Sequence, residues 1–243
     1  MIPKIIHYCW LSGGPVPGMF QHCINSWHKI LPDYEFILWD KNRFHLAQST
    51  WVKEAYNAKK YAFAADYIRL YAVYNYGGIY LDCDVEVFKR FDDLLHLPYF
   101  IGEEAYPNRW EVAAFGSEKG AAWVKQCLDY YEGRHFILED GSYDTRPMPD
   151  VLYEILSPSY QIQKIKHIDS FENKESVLND FPNDWFCAHI VKHPDTSLDP
   201  EYIVSNDTYC VHHFGNSWLK VKRAKKLLTN VLYRFGLKRI KHQ

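Results

Sequence analysis

The sequence has no apolar run long enough to cross a membrane and no pair of cysteines in CxxC spacing. A membrane-spanning helix needs about 20 consecutive apolar residues, so we expect none here. The six cysteines are scattered, and most lie in apolar stretches where a thiol packs as a small hydrophobic group. We therefore expect neither a zinc site nor a disulfide framework.

The N-terminus, MIPKIIHYCW, lacks the charged and then apolar layout of a secretory signal peptide, so we expect a cytoplasmic protein. Apolar residues are abundant: 47% of the 243 residues are hydrophobic and 17% are aromatic. This composition is enough to fill a sizeable core. No internal repeat or linker divides the chain before its basic end.

Positive charge is concentrated at the C-terminal end. Residues 220–243 hold nine of the 28 Lys/Arg and none of the 30 Asp/Glu, which leaves the rest of the chain near −11. We predict one domain over residues 1–218 and a basic amphipathic tail over residues 219–243. Two interpretations of the tail stay open: it lies peripherally on an anionic membrane surface, or it docks on the domain with its basic face in water. It lacks a recognition fold for nucleic acid, which we do not expect as a partner.

The N-terminal third alternates between strand and helix patterns. The segments IPKIIHYCW and YEFILWD read as buried strands, and residues 19–31 between them carry apolar side chains at helical spacing. Strand, helix and strand in about 40 residues predict an α/β fold with a mostly parallel sheet flanked by helices. Ligands of such sheets collect beyond the carboxyl ends of the strands.

Residues 51–76 predict one helix, which Gly77 and Gly78 end. Asp66 and Arg69 lie three residues apart on a largely apolar stripe of that helix. Side chains at this spacing are neighbours on a helix surface. We expect the two to be half buried and to face each other.

The helix leads into YGGIYLDCDVEV, which reads as a strand that ends in carboxylates. In an extended strand Tyr80, Asp82 and Asp84 share one face. Two convergent carboxylates at a strand end make an oxygen-rich site for Mg²⁺ or Mn²⁺, ions that neutralise a diphosphate leaving group. The other interpretation is an ordinary strand with a solvated polar face. Glu86 falls on the same face of the strand by this alternation, and whether it reaches the metal is left open.

Three segments together resemble the DxD sugar-transferases of glycosyltransferase family 32: IPKIIHYCW, YAFAADYIRLYAVYNYGGIYLDCDVEV and HHFGNSW. That family includes yeast-type initiating α-mannosyltransferases and bacterial capsular-polysaccharide enzymes. The resemblance covers most of residues 1–218 and implies a GT-A type nucleotide-binding fold. It also implies a retaining, metal-dependent transfer of a hexose from a UDP- or GDP-linked sugar to a glycan or lipid-linked glycan acceptor.

The resemblance also implies roles for single residues in the first two segments. Trp10 matches the aromatic residue on which the nucleotide base stacks. Four further matches are side chains that contact the ribose and the sugar: Asp66, Arg69, Tyr80 and Asp82. Asp84 matches the residue that holds Mn²⁺ or Mg²⁺ directly.

The third segment implies the rest of the site. Asn216, Ser217 and Trp218 would line the diphosphate and the sugar, and a histidine before them would be a further metal ligand. Counting back from the tryptophan favours His213, whereas related HxxG metal motifs favour His212. The two point to opposite faces of a strand, so we expect at most one to bind metal.

The implied chemistry is a same-face substitution that rests on Asp82, Asp84 and Arg69, with Arg69 stabilising the departing diphosphate. A double displacement would need a carboxylate beneath the anomeric carbon, for which there are three loose candidates: Glu103, Glu104 and Glu111. The chain departs from the bacterial pattern at Arg146, which could narrow the acceptor cleft or contact an acidic acceptor. It also departs at Glu111, where an uncharged residue beside the sugar is usual. The sugar and the acceptor therefore stay open.

Two other functions stay in view. Aspartyl-phosphate phosphatases also place DxD after an apolar strand, with the first Asp as nucleophile. They need Thr or a similar residue after the pair and a later Gly-Asp loop, whereas this chain has Val85 and Glu86 there and no Gly-Asp dipeptide. The third possibility is a non-catalytic module that binds a nucleotide sugar.

Overall fold

The structure, a computed structural model, describes residues 1–106, 108–190, 201–202 and 204–215. The α-helices in this part of the chain are α1 Gly18–Ile30, α2 Thr50–Asn57, α3 Tyr61–Tyr76, α4 Ala122–Asp129, α5 Met148–Leu156 and α6 Asn183–Phe186. The strands are β1 Ile5–Cys9, β2 Glu35–Trp39, β3 Gly78–Leu81, β4 Val85–Val87, β5 Tyr99–Phe100, β6 Ala114–Ser117, β7 Gln161–Lys164, β8 Val177–Asp180, β9 His189–Ile190, β10 Glu201–Tyr202 and β11 Cys210–His212.

A five-stranded sheet in the order β2-β1-β3-β6-β5 forms the centre of the fold. β1 pairs in parallel with both β2 and β3. β6 runs antiparallel to β3 and to β5, so four of the five strands point the same way. The predicted α/β fold with a mostly parallel sheet is therefore confirmed.

The central strand β3 is buried on both faces, because helices and loops cover the sheet on each side. Ile79 and Leu81 belong to one apolar cluster together with Trp27 of α1. Tyr80 belongs to the other cluster, together with Ile68 of α3. Successive side chains of a strand point to opposite faces, which explains why the apolar run GIYL is continuous.

The helix predicted over residues 51–76 is wrong in one respect, because it is divided into α2 and α3. Lys59 takes the left-handed conformation with φ 57°. Its N–H donates to the Tyr56 carbonyl at 2.9 Å, and the Lys60 N–H donates to the Ala55 carbonyl at 2.8 Å. This pair of bonds is a Schellman cap, which usually has glycine at the left-handed position. Because lysine stands there instead, the sequence carries no glycine signal for the break.

The region 157–208, expected to be poorly patterned loop, contains short elements among its described residues. β7 and β8 form a parallel pair, and Gly102 bridges to Phe181 just after β8. Such short elements are too brief to show a clear period in the sequence. The six cysteines, all of which are described, form no disulfide. No described helix is both long and apolar enough to span a membrane.

Asp180 at the end of β8 is a buried carboxyl whose Oδ1 has no hydrogen-bond partner among the residues that the structure describes. Burial raises its pKa to about 8; Glu103 adds to the shift and Lys164 opposes it. In the unfolded chain the carboxyl keeps its ordinary pKa of 3.8. The folded state holds the proton more tightly, so this group's contribution to stability is present below about pH 4 and is lost as the pH rises towards about 8.

Asp180→Asn is expected to weaken that pH dependence, because an amide cannot ionise. The measurement is the free energy of unfolding in urea, for wild type and variant, at about pH 5 and about pH 8. Relative to wild type, the free energy of unfolding of the variant should be higher at about pH 8 than at about pH 5. A difference that does not change with pH would contradict the buried, protonated carboxyl.

Candidate functional site

The DxD segment is a turn and not the end of a strand, which corrects the prediction. β3 ends at Leu81, and the Val85 N–H donates to the Asp82 carbonyl at 2.9 Å, closing a turn over Asp82 to Val85. Asp is a poor strand former and favours turns, which accounts for the early end of the strand. The chain then re-enters extended structure as β4.

Pairing between β4 and β11 brings a histidine to this turn. The two strands are antiparallel, with Val85 opposite His212. The potential ligand atoms of Asp82, Asp84 and His212 all lie within 4.8 Å of one another, and no other such group of three occurs among the described residues. Two carboxylates and an imidazole are oxygen and nitrogen donors that fit a divalent cation such as Mn²⁺ or Mg²⁺.

Glu111 holds the imidazole of His212 from behind. Its Oε2 lies 3.1 Å from Nδ1 of His212, and its Oε1 accepts the Ala113 N–H at 2.7 Å. The Glu111 side chain is only 1% exposed. With Nδ1 engaged, Nε2 of His212 faces Asp84, 3.7 Å from its Oδ2. This contact was not predicted, because the position of Glu111 was expected to lie beside the sugar; the only available signal was a charge inside the apolar run WEVAAF.

His213 turns to the other face, as expected for neighbours on a strand. Its Nε2 lies 2.9 Å from Oε2 of Glu86. Oε1 of Glu86 is in turn 2.9 Å from Nε2 of His22. His213 and Glu86 therefore contact each other behind the turn and do not join the group of Asp82, Asp84 and His212. The geometry favours His212 over His213 as the metal-facing histidine.

Asp82 is held in place by two buried neighbours. Nη1 of Arg69 donates to Asp82 Oδ2 at 3.1 Å, and the Tyr80 hydroxyl donates to Asp82 Oδ1 at 2.7 Å. Arg69 also pairs with Asp66 at 3.1 Å, which confirms that these two side chains face each other, and donates to the Val112 carbonyl at 2.8 Å. Its guanidinium lies over the Tyr80 ring, 4.7 Å from the centroid.

The Tyr80 side chain is fully buried and does not line the cavity described below, so its predicted place beside the sugar and the ribose stays a prediction. Its ring packs between Arg69 and Phe115. In this structure Tyr80 is linked to the cavity through its hydrogen bond to Asp82. The predicted contact of Arg69 with a diphosphate stays a prediction.

Burial and charge separate the three carboxyls of this site. Burial raises the pKa of Asp66 to about 7 although Arg69 opposes it, and burial likewise raises the pKa of Asp82. Burial would also raise the pKa of Asp84, but His212 and the Gly215 N–H outweigh it and lower that pKa to about 2. Asp84 is therefore the carboxylate that stays ionised without a cation, and a bound cation would favour the ionised form of all three.

The Gly215 N–H donates to Asp84 Oδ2 at 2.7 Å. A Cβ at this glycine would lie 3.0 Å from that oxygen and 2.8 Å from side-chain atoms of Met19 and Phe20. Only glycine fits this close approach without displacing its neighbours. Asn216, Ser217 and Trp218, predicted to line the diphosphate and the sugar, lie outside the described residues, as do the basic tail and the predicted domain boundary.

A cavity of about 770 Å³ opens over the turn, and Asp66, Arg69, Asp82, Asp84 and His212 contribute to its wall. Trp10 lines the same cavity and is half buried, with its Nε1–H donating to the Gly14 carbonyl at 2.7 Å. Phe20 packs edge-on against Trp10 at 5.8 Å between ring centroids. The indole ring is thus fixed at the cavity wall, as a stacking platform requires.

Asp66, Arg69, Asp82 and Asp84 lie inside a segment that matches a known family. Residues 17–101 match the family described as "Glycosyltransferase sugar-binding region containing DXD motif". The predicted resemblance to DxD sugar-transferases is thereby confirmed, and the matched region contains α3, β3 and the turn that carries Asp82 and Asp84.

Two yeast proteins are similar to part of the chain. Inositol phosphoceramide mannosyltransferase 3 of Schizosaccharomyces pombe is 36% identical over 131 residues, which are 52% of this chain and 36% of that protein. Mannosyl phosphorylinositol ceramide synthase CSH1 of Saccharomyces cerevisiae is 33% identical over 109 residues, which are 42% and 28% of the two chains. The chain thus spans about a third of the length of the curated relatives it matches.

Two solved glycosyltransferases are similar at lower sequence identity. The PaToxG glycosyltransferase is 20% identical with a TM-score of 0.49, covering 65% of this chain and 69% of that one. An active-site mutant of LgtC is 9% identical with a TM-score of 0.45, covering 93% of this chain and 95% of that one.

The remaining predicted residues are divided between the cavity of the DXD region and the surface. Glu104 lines the cavity, where burial raises its pKa to about 7 and Nη1 of Arg109 lies 3.2 Å from its Oε2. Glu103 instead pairs with Lys164 and does not line the cavity. Arg146, predicted to narrow the acceptor cleft, is turned to Glu154 on α5, because that carboxylate lies within its reach.

Proposed function

We propose that the protein is a metal-dependent, retaining glycosyltransferase that moves a hexose from a UDP- or GDP-linked sugar to a glycan or lipid-linked glycan acceptor. The observation that carries the proposal is the convergence of Asp82, Asp84 and His212 on one cavity, with both aspartates inside the segment that matches the DXD sugar-binding region. The similarity to proteins named for mannose transfer to inositol phosphoceramide supports a hexose donor and a lipid-linked acceptor.

In this proposal Asp82, Asp84 and His212 hold Mn²⁺ or Mg²⁺. When bound, the ion neutralises the charge that develops on the departing diphosphate. Arg69 and Tyr80 fix the carboxylate of Asp82, while Glu111 fixes the ring of His212, so the ligands are oriented before substrate arrives.

The rest of the cavity places the donor and the acceptor. Trp10 offers its indole face to the nucleotide base, and Asp66 accepts hydrogen bonds from hydroxyls of the ribose or the sugar. In the same-face substitution that we propose, the oxygen leaving the anomeric carbon takes the proton of the attacking acceptor hydroxyl. Of the three glutamates considered for a double displacement, Glu111 is engaged with His212 and Glu103 lies outside the cavity wall, which leaves Glu104 as the competing nucleophile.

The test is a hydrolysis screen across UDP- and GDP-sugars with and without Mn²⁺. The matched variant is Asp84→Asn, which keeps the size of the side chain and removes its charge. We expect the metal-dependent rate to fall by at least about 100-fold, as when one preorganised charge-stabilising group is removed from an active site. Circular dichroism checks that the variant is folded.

A folded Asp84→Asn protein that keeps the full rate in the presence of a chelator would contradict the metal-centred scheme. The same screen separates the other two functions. An aspartyl-phosphate phosphatase would release phosphate from a simple phosphomonoester, and a binding module would bind a nucleotide sugar without turnover. A cytoplasmic location, with the basic tail peripheral at the inner face of a membrane, belongs to the proposal as well.

A further inference from the structure

Lys59 and Lys60 differ from the other cations of the cavity. Four Lys/Arg side chains line it within the described part of the chain: Lys59, Lys60, Arg69 and Arg109. The two arginines are neutralised by carboxylates, Arg69 by Asp66 and Asp82, and Arg109 by Glu104 and Asp150. Neither lysine forms an ion pair with any acidic residue that the structure describes. Two adjacent positive charges at the rim of an otherwise acidic cavity are therefore left without a counter-charge.

The backbone that carries these lysines is held in one conformation. The Schellman bonds to the carbonyls of Tyr56 and Ala55 fix both residues, and Lys59 adopts φ 57° without being glycine. A left-handed residue with a side chain costs about 1–2 kcal/mol, and such residues concentrate at functional sites. Glycine would relieve the strain, but it would remove the charge that lysine places at the cavity rim.

The position of the pair relative to the metal ligands separates it from the diphosphate site. Lys60 precedes Asp66 by six residues, which corresponds to about 9 Å along the axis of α3. Asp66 pairs with Arg69, which in turn pairs with Asp82 beside the metal-facing residues. The lysines therefore lie on a part of the cavity wall that is one step removed from the metal-facing residues.

Exposed apolar side chains lie beside Lys60, outside the cavity wall. Nζ of Lys60 lies 5.6 Å from the centroid of the Tyr143 ring. Tyr143 is bridged to Ile137, and the side chains of Ile137, Leu138 and Tyr143 are 39%, 44% and 41% exposed. Positive charge next to exposed apolar side chains matches a ligand in which a phosphate joins a polar headgroup to a lipid.

We propose that Lys59 and Lys60 bind the phosphodiester of a phospholipid acceptor, with its headgroup hydroxyl pointing towards the donor sugar and its lipid passing over Ile137, Leu138 and Tyr143. The assignment rests on the proposed function, and it narrows the acceptor to one that carries a phosphate. An acceptor without a phosphate would leave the ammonium groups of Lys59 and Lys60 without an anionic partner.

The test measures binding to the full chain by isothermal titration calorimetry, with Mn²⁺ and either UDP or GDP present to fill the donor half of the cavity. The ligands are glycerophosphoinositol, which carries one phosphodiester, and myo-inositol, which carries none. We expect wild type to prefer glycerophosphoinositol by about tenfold or more, as charge-assisted contacts to a phosphate provide. The Lys59→Gln/Lys60→Gln variant should lose most of that preference, while its affinity for UDP and GDP stays at the wild-type value.

The matched control is Lys41→Gln/Lys53→Gln, which removes two exposed lysines outside the cavity wall and changes the net charge equally. It should keep the preference. No preference in wild type, or an equal loss in the control, would overturn the proposal. A Lys59→Gln/Lys60→Gln protein that loses nucleotide affinity but keeps the preference would assign the pair to the donor diphosphate instead. Because binding needs no turnover, failure of the hydrolysis screen would be a separate result.

Discussion

Replacing Arg69 with alanine is expected to lower the free energy of unfolding by about 3–5 kcal/mol, because it leaves partners of a buried ion pair without their counter-charge. The guanidinium is 4% exposed and pairs with both Asp66 and Asp82. Its removal also takes the donor from the Val112 carbonyl and the cation from the face of Tyr80. Transfer activity should fall as well, since Asp82 loses one of the two contacts that orient it.

The effect should depend on pH in a defined direction. Without Arg69, burial raises the pKa of both carboxyls further, and a carboxyl with a raised folded-state pKa loses its stabilising contribution as the pH rises. The deficit of Arg69→Ala relative to wild type should therefore be larger at about pH 8 than at about pH 5. Urea unfolding followed by circular dichroism at both pH values measures it.

Arg90→Ala is the matched control, since that arginine also contacts two carboxylates, Asp33 and Asp92, but at the surface. Solvent-exposed pairs contribute little, so its loss should be much smaller. Equal losses in Arg69→Ala and Arg90→Ala would show that the buried network is not what stabilises this part of the fold. Arg69→Lys should lie between wild type and alanine, because lysine keeps the charge but not the planar fork.

Glu111→Gln is expected to weaken Mn²⁺ binding by about 10- to 100-fold, the range found when an outer partner of a metal ligand is removed. The carboxylate of Glu111 fixes Nδ1 of His212 as the protonated nitrogen and leaves Nε2 for the cation. A glutamine fills the same space but has no charge, and its amide can present either an acceptor or a donor to the ring.

Titration of the full chain with MnCl₂ by calorimetry measures the affinity without reference to turnover. Glu104→Gln is the control, because it removes the charge of another carboxylate in the same cavity that does not contact His212. It should reduce the affinity less than Glu111→Gln does. Wild-type affinity in a folded Glu111→Gln protein would mean that the contact with His212 is structural only.

Much of the layout around the site could be predicted from short stretches of sequence. The spacing of Asp66 and Arg69 placed them side by side on a helix, and the ion pair between them follows from that spacing. Gly77 marked the end of α3, and it does take the positive φ of 69° that a glycine cap allows. These features depend on neighbours within one or two turns of the chain, where residue type and period act directly.

Two features of the chain were predicted wrongly because the residues next to them carry only an incomplete turn signal. Lys59 breaks the predicted helix without a glycine, and the strand that was expected to run through Asp84 stops at Leu81. In both places the polypeptide takes a turn whose bonds are visible only in three dimensions. Tyr80 shows a related limit, because strand parity places it beside Asp82 but cannot tell that helix α3 buries it completely.

The residues that could hold the metal became a site through a contact between distant parts of the chain. From the sequence, Asp82 and Asp84 were a pair of carboxylates, and His212 and His213 were two equal alternatives. The antiparallel register of β4 and β11, with Val85 opposite His212, turns one histidine to the carboxylates and the other to Glu86. Glu111 reaches His212 across 101 positions. Local spacing determines which side chains share a face, whereas strand pairing and packing determine which faces meet.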